Sequence, residues 1–217
     1  MRHGYTNLTT QVGDTVLKRY QGPAAAARAG AERTALLALR DHLPVPAVLA
    51  ATPRSLTTRL SPGEHGQDLI DAGLAEPVLA GCGRLLRELQ ALDPALVGGP
   101  VYSGVIRHGD FGPNNVLFRQ PDLTVSALLD WEFSGVGPPI ADLAWCEWIV
   151  RMHHPDARDA LRALFDGYGR QPPFEQRQAE MLRRCRELAD FARRWDPTGA
   201  GVATWTERIA VTGGWTA

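Results

Sequence analysis

A chain of 217 residues with a formal net charge of −1, 44% hydrophobic and 22% charged residues, has the composition of a folded protein of one large domain or two smaller lobes, not of a disordered segment. Its near-neutral balance offers no basic field for nucleic acid or an anionic membrane, so an anionic ligand has to be held by local groups. No run approaches the ~20 apolar residues of a membrane helix and the first residues lack the apolar core of a signal peptide, while Cys82, Cys146 and Cys185 stand apart without CxxC spacing, which suits reduced packing residues in a cytoplasmic protein.

Residues 5 to 20, YTNLTTQVGDTVLKRY, mix Thr and Val around a Gly-Asp turn and predict a β-hairpin. Residues 24 to 42 turn alanine- and leucine-rich, as a helix does, and alanine's helix propensity accounts for AAAARAGA without invoking low complexity. The strand-like SLTTRL at 55 to 60 runs into SPGEHG, whose Pro and Gly mark a loop and a hinge. Beyond it LAEPVLAGCGRLLRELQALD places Leu79, Leu85, Leu86 and Leu89 near helical spacing. The segments 139 to 152, 156 to 168 and 174 to 195 also read as helical. A small β-plus-helix lobe over residues 1–60 and a mostly helical lobe over residues 61–217 are expected.

Between those helices the stretch GVIRHGDFGPNNVLF at 104 to 118 crowds polar groups where two apolar runs meet. The strands NNVLF and TVSALLDWEF, joined by the turn RQPDL, predict a hairpin with Asn115 entering one strand and Asp130 leaving the other. Asn115 and Asp130 then meet beside the acid Asp110. Such an oxygen set seats a hard cation such as Mg²⁺, which completes its shell with phosphate oxygens and water. Metal and phosphate together point to phosphoryl transfer. Turn capping is the plainer use of Asn and Asp at such places.

HGDFGPNN fits the catalytic-loop pattern H-x-D-x-x-x-x-N at His108, Asp110 and Asn115, and LLDWEF puts Asp130 at the metal-acid position. With HGD, DWE and the following ADLAW at 141 to 145, the chain resembles the aminoglycoside phosphotransferase and choline kinase-like family. Upstream, HGYTNLT, TVLKRY, AERTALLALRDHLPVP and RLSPG resemble, in order, that family's phosphate loop, lysine strand, glutamate helix and hinge. The resemblance implies an α+β, two-lobed protein kinase-like fold with a reduced N-terminal β lobe and a mainly helical C-terminal lobe. It implies Mg²⁺ as cofactor, ATP or GTP as phosphoryl donor, and a small-molecule hydroxyl as acceptor. Asp110 is then the catalytic acid that orients the attacking hydroxyl, and Asn115 and Asp130 are the metal ligands. Lys18 and Glu32, the phosphate loop Gly4, Tyr5, Thr6 and Asn7, and the hinge residues Thr58, Arg59 and Leu60 are the nucleotide-binding set. His108 braces the loop, Asp142 ties it down from a helix start where free N–H groups favour a carboxylate in any case, and Glu132 lies close enough to the metal acid to reach a second cation.

Of the 23 Lys and Arg residues only Lys18 is a lysine. An ammonium is a compact point charge that reaches phosphates where the planar guanidinium fork fits poorly, and Glu32 is its expected ion-pair partner. A non-catalytic nucleotide-binding module is the competing reading, although binding alone does not require an acid at Asp110. The acceptor is open among antibiotic, choline-like and sugar or amino-alcohol compounds. Asp156, Asp159, Asp166, Glu175 and Glu180 are candidate contacts, but the arginines interleaved with them make the pattern of a solvated helix face.

Overall fold

The computed structural model describes residues 7–99 and 104–217. The expected first hairpin is formed by β1 (Asn7–Val12) and β2 (Thr15–Tyr20), turning at Gly13 with φ 59°. Strand β4 (Ser55–Arg59) pairs with the free edge of β2, and β3 (Val48–Thr52) pairs with β4, giving an antiparallel sheet in the order β1-β2-β4-β3. Helix α1 (Ala25–Leu39) buries Ala25, Arg28, Ala29, Glu32, Ala35, Leu36 and Leu39. Small alanines on this face let the helix lie close, and Arg28 and Glu32, four residues apart, share the face.

The hinge segment contains β5 (Glu64–His65), which pairs with β7 (Val116–Arg119); β7 in turn forms the expected second hairpin with β8 (Thr124–Leu128). Helices α2 (Gly66–Asp71) and α3 (Ala75–Gln90) lie between, and α3 buries Val78, Leu79, Cys82, Leu85, Leu86 and Leu89 at the spacing of one helical stripe. A third pairing joins β6 (Val105–Arg107) to β9 (Gly135–Gly137) and pulls the two flanks of the second hairpin together.

The remainder is helical: α4 (Ile140–His153), α5 (Leu161–Tyr168), α6 (Phe174–Trp195) and α7 (Ala200–Gly213). The predicted helix over 156 to 168 is divided into a 3-10 turn at Pro155–Ala160 and α5. Helix α5 sits so close to α3 that a Cβ on Gly83 would meet Leu164 O at 2.2 Å. Helix α7 escapes sequence reading because its apolar stripe, Val202, Trp205 and Ile209, is short and only half-buried, Thr212 being its one fully buried residue.

The chain is therefore α+β, a small antiparallel sheet followed by a mostly helical part. One apolar cluster runs from Tyr20, Leu36, Leu39 and Leu56 to Leu79, Leu86, Phe118, Trp131 and Leu164, so residues on both sides of position 60 share a core. A second cluster, Ala144, Trp145, Trp148, Ile149, Met181 and Cys185, joins α4 to α6, with Trp205 and Ile209 of α7 packed on it. All three cysteines are buried and free, as expected of packing residues. No helix among the described residues is long and apolar enough to cross a membrane.

Candidate active site

The loop 108–115 is held in place from behind. The α4 carboxylate of Asp142 accepts the backbone N–H groups of His108 at 2.6 Å and Gly109 at 2.9 Å. Gly109 has φ 85° and a Cβ there would meet Phe133 O at 2.2 Å, so the middle position of HGD admits glycine alone. His108 is fully buried. Its Nδ1 accepts from Asp110 N at 3.2 Å, which leaves the proton on Nε2 to donate to Leu129 O at 2.8 Å. Burial lowers its pKa to about 4, so it is a neutral brace that links the loop to the end of β8. At neutral pH it carries no imidazolium proton to give away, and its one N–H is spent on Leu129 O.

Asn115 and Asp130 are brought side by side by the second hairpin, since Leu129 N donates to Asn115 O at 2.8 Å. Asp130 turns out of the strand at φ 65°, a left-handed conformation that Asp tolerates better than most residues. Asp110 accepts from Asn115 Nδ2 at 3.0 Å on Oδ2 and from the indole of Trp145 at 2.7 Å on Oδ1. Burial, and next the charge of Asp130, raise the Asp110 pKa to about 6 against the opposing effects of Arg184, Trp145 and Asn115. An acid poised there is ionised at neutral pH and basic enough to draw on a hydroxyl proton.

Lys18, on β2, crosses to this hairpin. Its Nζ donates to Glu32 Oε2 at 2.6 Å, forming the predicted ion pair, and also to Asp130 Oδ1. The Tyr20 hydroxyl, on the same strand face two residues on, donates to the same Glu32 oxygen at 2.6 Å. Burial alone would depress the Lys18 ammonium, but the carboxylates of Asp130, Glu32 and Glu132 outweigh it and hold its pKa well above the ordinary lysine range. Lys18 is thus charged and shared between two acids.

That sharing bears on the metal. One ammonium between two carboxylates leaves surplus negative charge beside the Asn115 amide, and oxygen donors of this kind suit Mg²⁺. Among the described residues no three His, Cys, Asp or Glu side chains converge as a metal site. Asp130 and Asn115 could offer one carboxylate and one amide oxygen, a set that fits a cation whose other ligands are phosphate oxygens and water.

Glu132 is 3% exposed and lies in a second buried ion pair. It accepts from Arg28 Nη1 and from Asn7 Nδ2 at 2.9 Å, while Asn7 Oδ1 accepts from Arg28 at 3.3 Å. Asn7 and Glu132, placed separately by the motif, thus meet directly, and Arg28 bridges them. Gly4, Tyr5 and Thr6 lie outside the described residues. Of the hinge group, Thr58 pairs with Val16 and Val48 within the sheet, and Arg59 is ion-paired with Asp14 at 2.8 Å on the exposed rim. Leu60 is held by its N–H to Asp14 O at 2.8 Å. These three do not join the side-chain contacts around Lys18.

Four residues of the site escaped sequence reasoning: Tyr20, Arg28, Trp145 and Arg184. The first three carry a signal in their spacing, because Tyr20 is i+2 from Lys18 on a strand, Arg28 is i−4 from Glu32 on a helix, and Trp145 is i+3 from Asp142. Arg184 carries none, being one of several arginines on α6.

The family model described as phosphotransferase enzyme family matches residues 1–103 and 100–188. Acyl-CoA dehydrogenase family member 11 of Gallus gallus is 50% identical over 38 residues, 18% of this chain and 5% of that protein. The Homo sapiens protein of that name is 49% identical over 37 residues, 17% of this chain and again 5% of the relative. The chain thus spans a small fraction of the length of these curated relatives. Among solved structures, the GDP and kanamycin complex of APH(2")-IIia superposes with a TM-score of 0.74 at 13% identity, covering 98% of this chain and 91% of that one. Macrolide 2'-phosphotransferase MphH from Brachybacterium faecium gives 0.60 at 20% identity over 98% and 93%. A choline/ethanolamine kinase family protein from Mesorhizobium loti gives 0.59 at 19% over 97% and 85%. Identities this low speak to the shared fold.

Proposed function

The chain belongs to the phosphotransferase enzyme family, and on that premise we propose that it transfers the γ-phosphoryl group of ATP or GTP to a hydroxyl of a small molecule, an aminoglycoside-like compound or another amino-alcohol or sugar. The observation that carries this reading is the reach of Lys18 from β2 to both Glu32 and Asp130, which supports casting these three as phosphate clamp, clamp holder and metal acid. The GDP complex of a structure with the same fold supports a nucleotide donor.

In this reading residues 1–60 form the nucleotide lobe and residues 61–217 the catalytic and acceptor lobe, with nucleotide between the sheet and the second hairpin. Lys18 holds α- and β-phosphates as a point charge, and Glu32, fixed by Tyr20, keeps it extended. Gly4, Tyr5, Thr6 and Asn7 complete the nucleotide-binding set as the family resemblance implies, and the chain at Thr58, Arg59 and Leu60 borders the base. Asn115 and Asp130 hold Mg²⁺, which when bound offsets the charge of the triphosphate. Asp110 accepts the hydrogen bond of the acceptor hydroxyl, aims its oxygen in line with the γ-phosphorus and takes up the proton as the new P–O bond forms and the bond to the β-phosphate oxygen breaks. His108 and Asp142 keep the loop rigid, and Glu132 positions Arg28 and Asn7. Such an enzyme works where nucleoside triphosphates are, in the cytoplasm.

The test is a panel of hydroxylated acceptors, cationic, neutral and anionic, incubated with Mg²⁺ and ATP or GTP and assayed for nucleoside diphosphate and phosphorylated product. Acceptor-dependent turnover that falls by about 10²–10⁴ in Asp110→Asn supports the reading. Nucleotide binding without turnover of any acceptor would replace it with a non-catalytic nucleotide-binding module.

A further inference from the structure

Helix α4 grips the catalytic loop twice. Asp142 takes the backbone of His108 and Gly109, and Trp145, three residues on and therefore on the same helix face, takes the side chain of Asp110 through its indole N–H at 2.7 Å. Asn115 Nδ2 donates to the other carboxylate oxygen at 3.0 Å. A carboxylate oxygen has two acceptor positions, so one donor at each oxygen fixes the carboxylate plane and leaves a position open on each for a hydroxyl.

A buried indole needs some acceptor, and a backbone carbonyl is sufficient for the purpose. Trp131 uses that solution, donating to Leu128 O at 2.9 Å. Trp145 instead spends its donor on the acid of the loop. Its ring is also braced by aromatic neighbours. It stacks on Trp148 with centroids 4.3 Å apart and planes 6° apart, Trp148 Nε1 donates to Thr212 Oγ1 at 2.8 Å, and Trp205 lies 6.3 Å from Trp145 and 5.8 Å from Trp148. The Arg184 guanidinium sits 5.8 Å over the Trp145 ring. Thr212 and Trp205 belong to α7, outside the residues that the family model matches.

We propose that Trp145 is a positioning residue for phosphoryl transfer: its indole N–H holds Asp110 in the orientation that meets the acceptor hydroxyl, and the tryptophan stack carries the rigidity of α6 and α7 to that point. This deepens the proposed phosphotransferase function and rests on it. A donor in the second layer acts through orientation, so its loss slows the chemical step and leaves nucleotide binding alone.

The experiment compares wild type with two replacements of Trp145. Trp145→Phe removes the N–H and part of the stack. The benzothiophene isostere of tryptophan, in which sulfur replaces the indole N–H, keeps the shape and the stack and removes only the donor. Both are measured for kcat, for nucleotide KM and Kd at saturating Mg²⁺, and for thermal unfolding. The Trp145 indole ¹H–¹⁵N resonance, identified by its loss in Trp145→Phe, is followed in wild type and Asp110→Ala without any turnover. The expected result is a fall in kcat of about 10- to 100-fold for the isostere, nucleotide Kd within about twofold of wild type, an unchanged unfolding temperature, and an indole resonance that moves in Asp110→Ala. Wild-type kcat in the isostere, or a parallel loss of nucleotide affinity and kcat, overturns the positioning role. An indole resonance indifferent to Asp110→Ala overturns it as well, even if every acceptor fails and the kinase reading has to be given up on other grounds.

Discussion

Charged pairs around the candidate site and along the outer face of α6 use the same side-chain types to different ends. At the candidate site, Lys18–Glu32 and Arg28–Glu132 are buried and each acid has more than one donor. Along α6, Arg193–Asp190 and the Arg183 contacts to Glu180 and Glu187 follow i,i+3 and i,i+4 spacing on a partly or wholly exposed face. Only the first setting makes a pair costly to break, since water cannot replace a lost partner there. The outer face of α6 is accordingly a solvated one whose charge serves the helix, while its inner face buries Arg177 against Glu147; the pairs around Lys18 and Arg28 fix where phosphate, metal and hydroxyl would meet.

The comparison is broken most severely by Arg28→Ala. It leaves Glu132 buried without its guanidinium, and the expected loss of unfolding free energy is about 3–5 kcal/mol, read from urea denaturation. A loss comparable to that of an exposed pair would show that Glu132 is hydrated in solution.

A finer probe is the lysine. Lys18→Arg conserves charge, yet the wider fork does not fit between Glu32 and Asp130, so turnover should drop although the helix and sheet persist. In a double-mutant cycle with Lys18→Ala and Glu32→Gln, the losses in turnover should fall short of additivity by about 1–3 kcal/mol. Additive effects would place the two residues in separate roles.

Asp110 separates stability from function. Its native pKa, raised from 3.8 to about 6, means that the folded state binds the proton more tightly than the unfolded chain. Ionisation of this group therefore subtracts stability as pH rises from about 4 through 6, and the full cost is present above 6. The stability of Asp110→Asn relative to wild type should then rise by about 1–2 kcal/mol between pH 4 and pH 8, on top of a pH-independent loss because its amide N–H₂ faces one of the two donors that hold the carboxylate oxygens. Denaturant titrations at the two pH values decide it; a difference that does not depend on pH would detach the effect from ionisation.

The smallest effect is expected at the other pole of the comparison. Arg193→Ala, whose side chain is 56% exposed, should change stability by less than about 0.5 kcal/mol, and added salt should erase even that.

Much of this was legible in the chain before folding was considered. The lone Lys18 among arginines, the spacing of His108, Asp110 and Asn115, and the return of a second hairpin strand to Asp130 all rest on local rules, namely strand alternation, turn chemistry and the reach of a short loop, and these survive in a one-dimensional pattern. The α3 stripe and the alanine face of α1 were readable for the same reason. Tertiary structure alone decided that Glu132 goes to Arg28 and Asn7, that Arg184 comes to lie near Asp110, and that Thr212 of α7 is linked to Asp110 through Trp148 and Trp145. Those contacts join residues from 35 to 125 positions apart, and no periodicity records which distant donor a buried acid will find. The choice is made when the core closes and each buried charge must be matched by whatever group is then within reach.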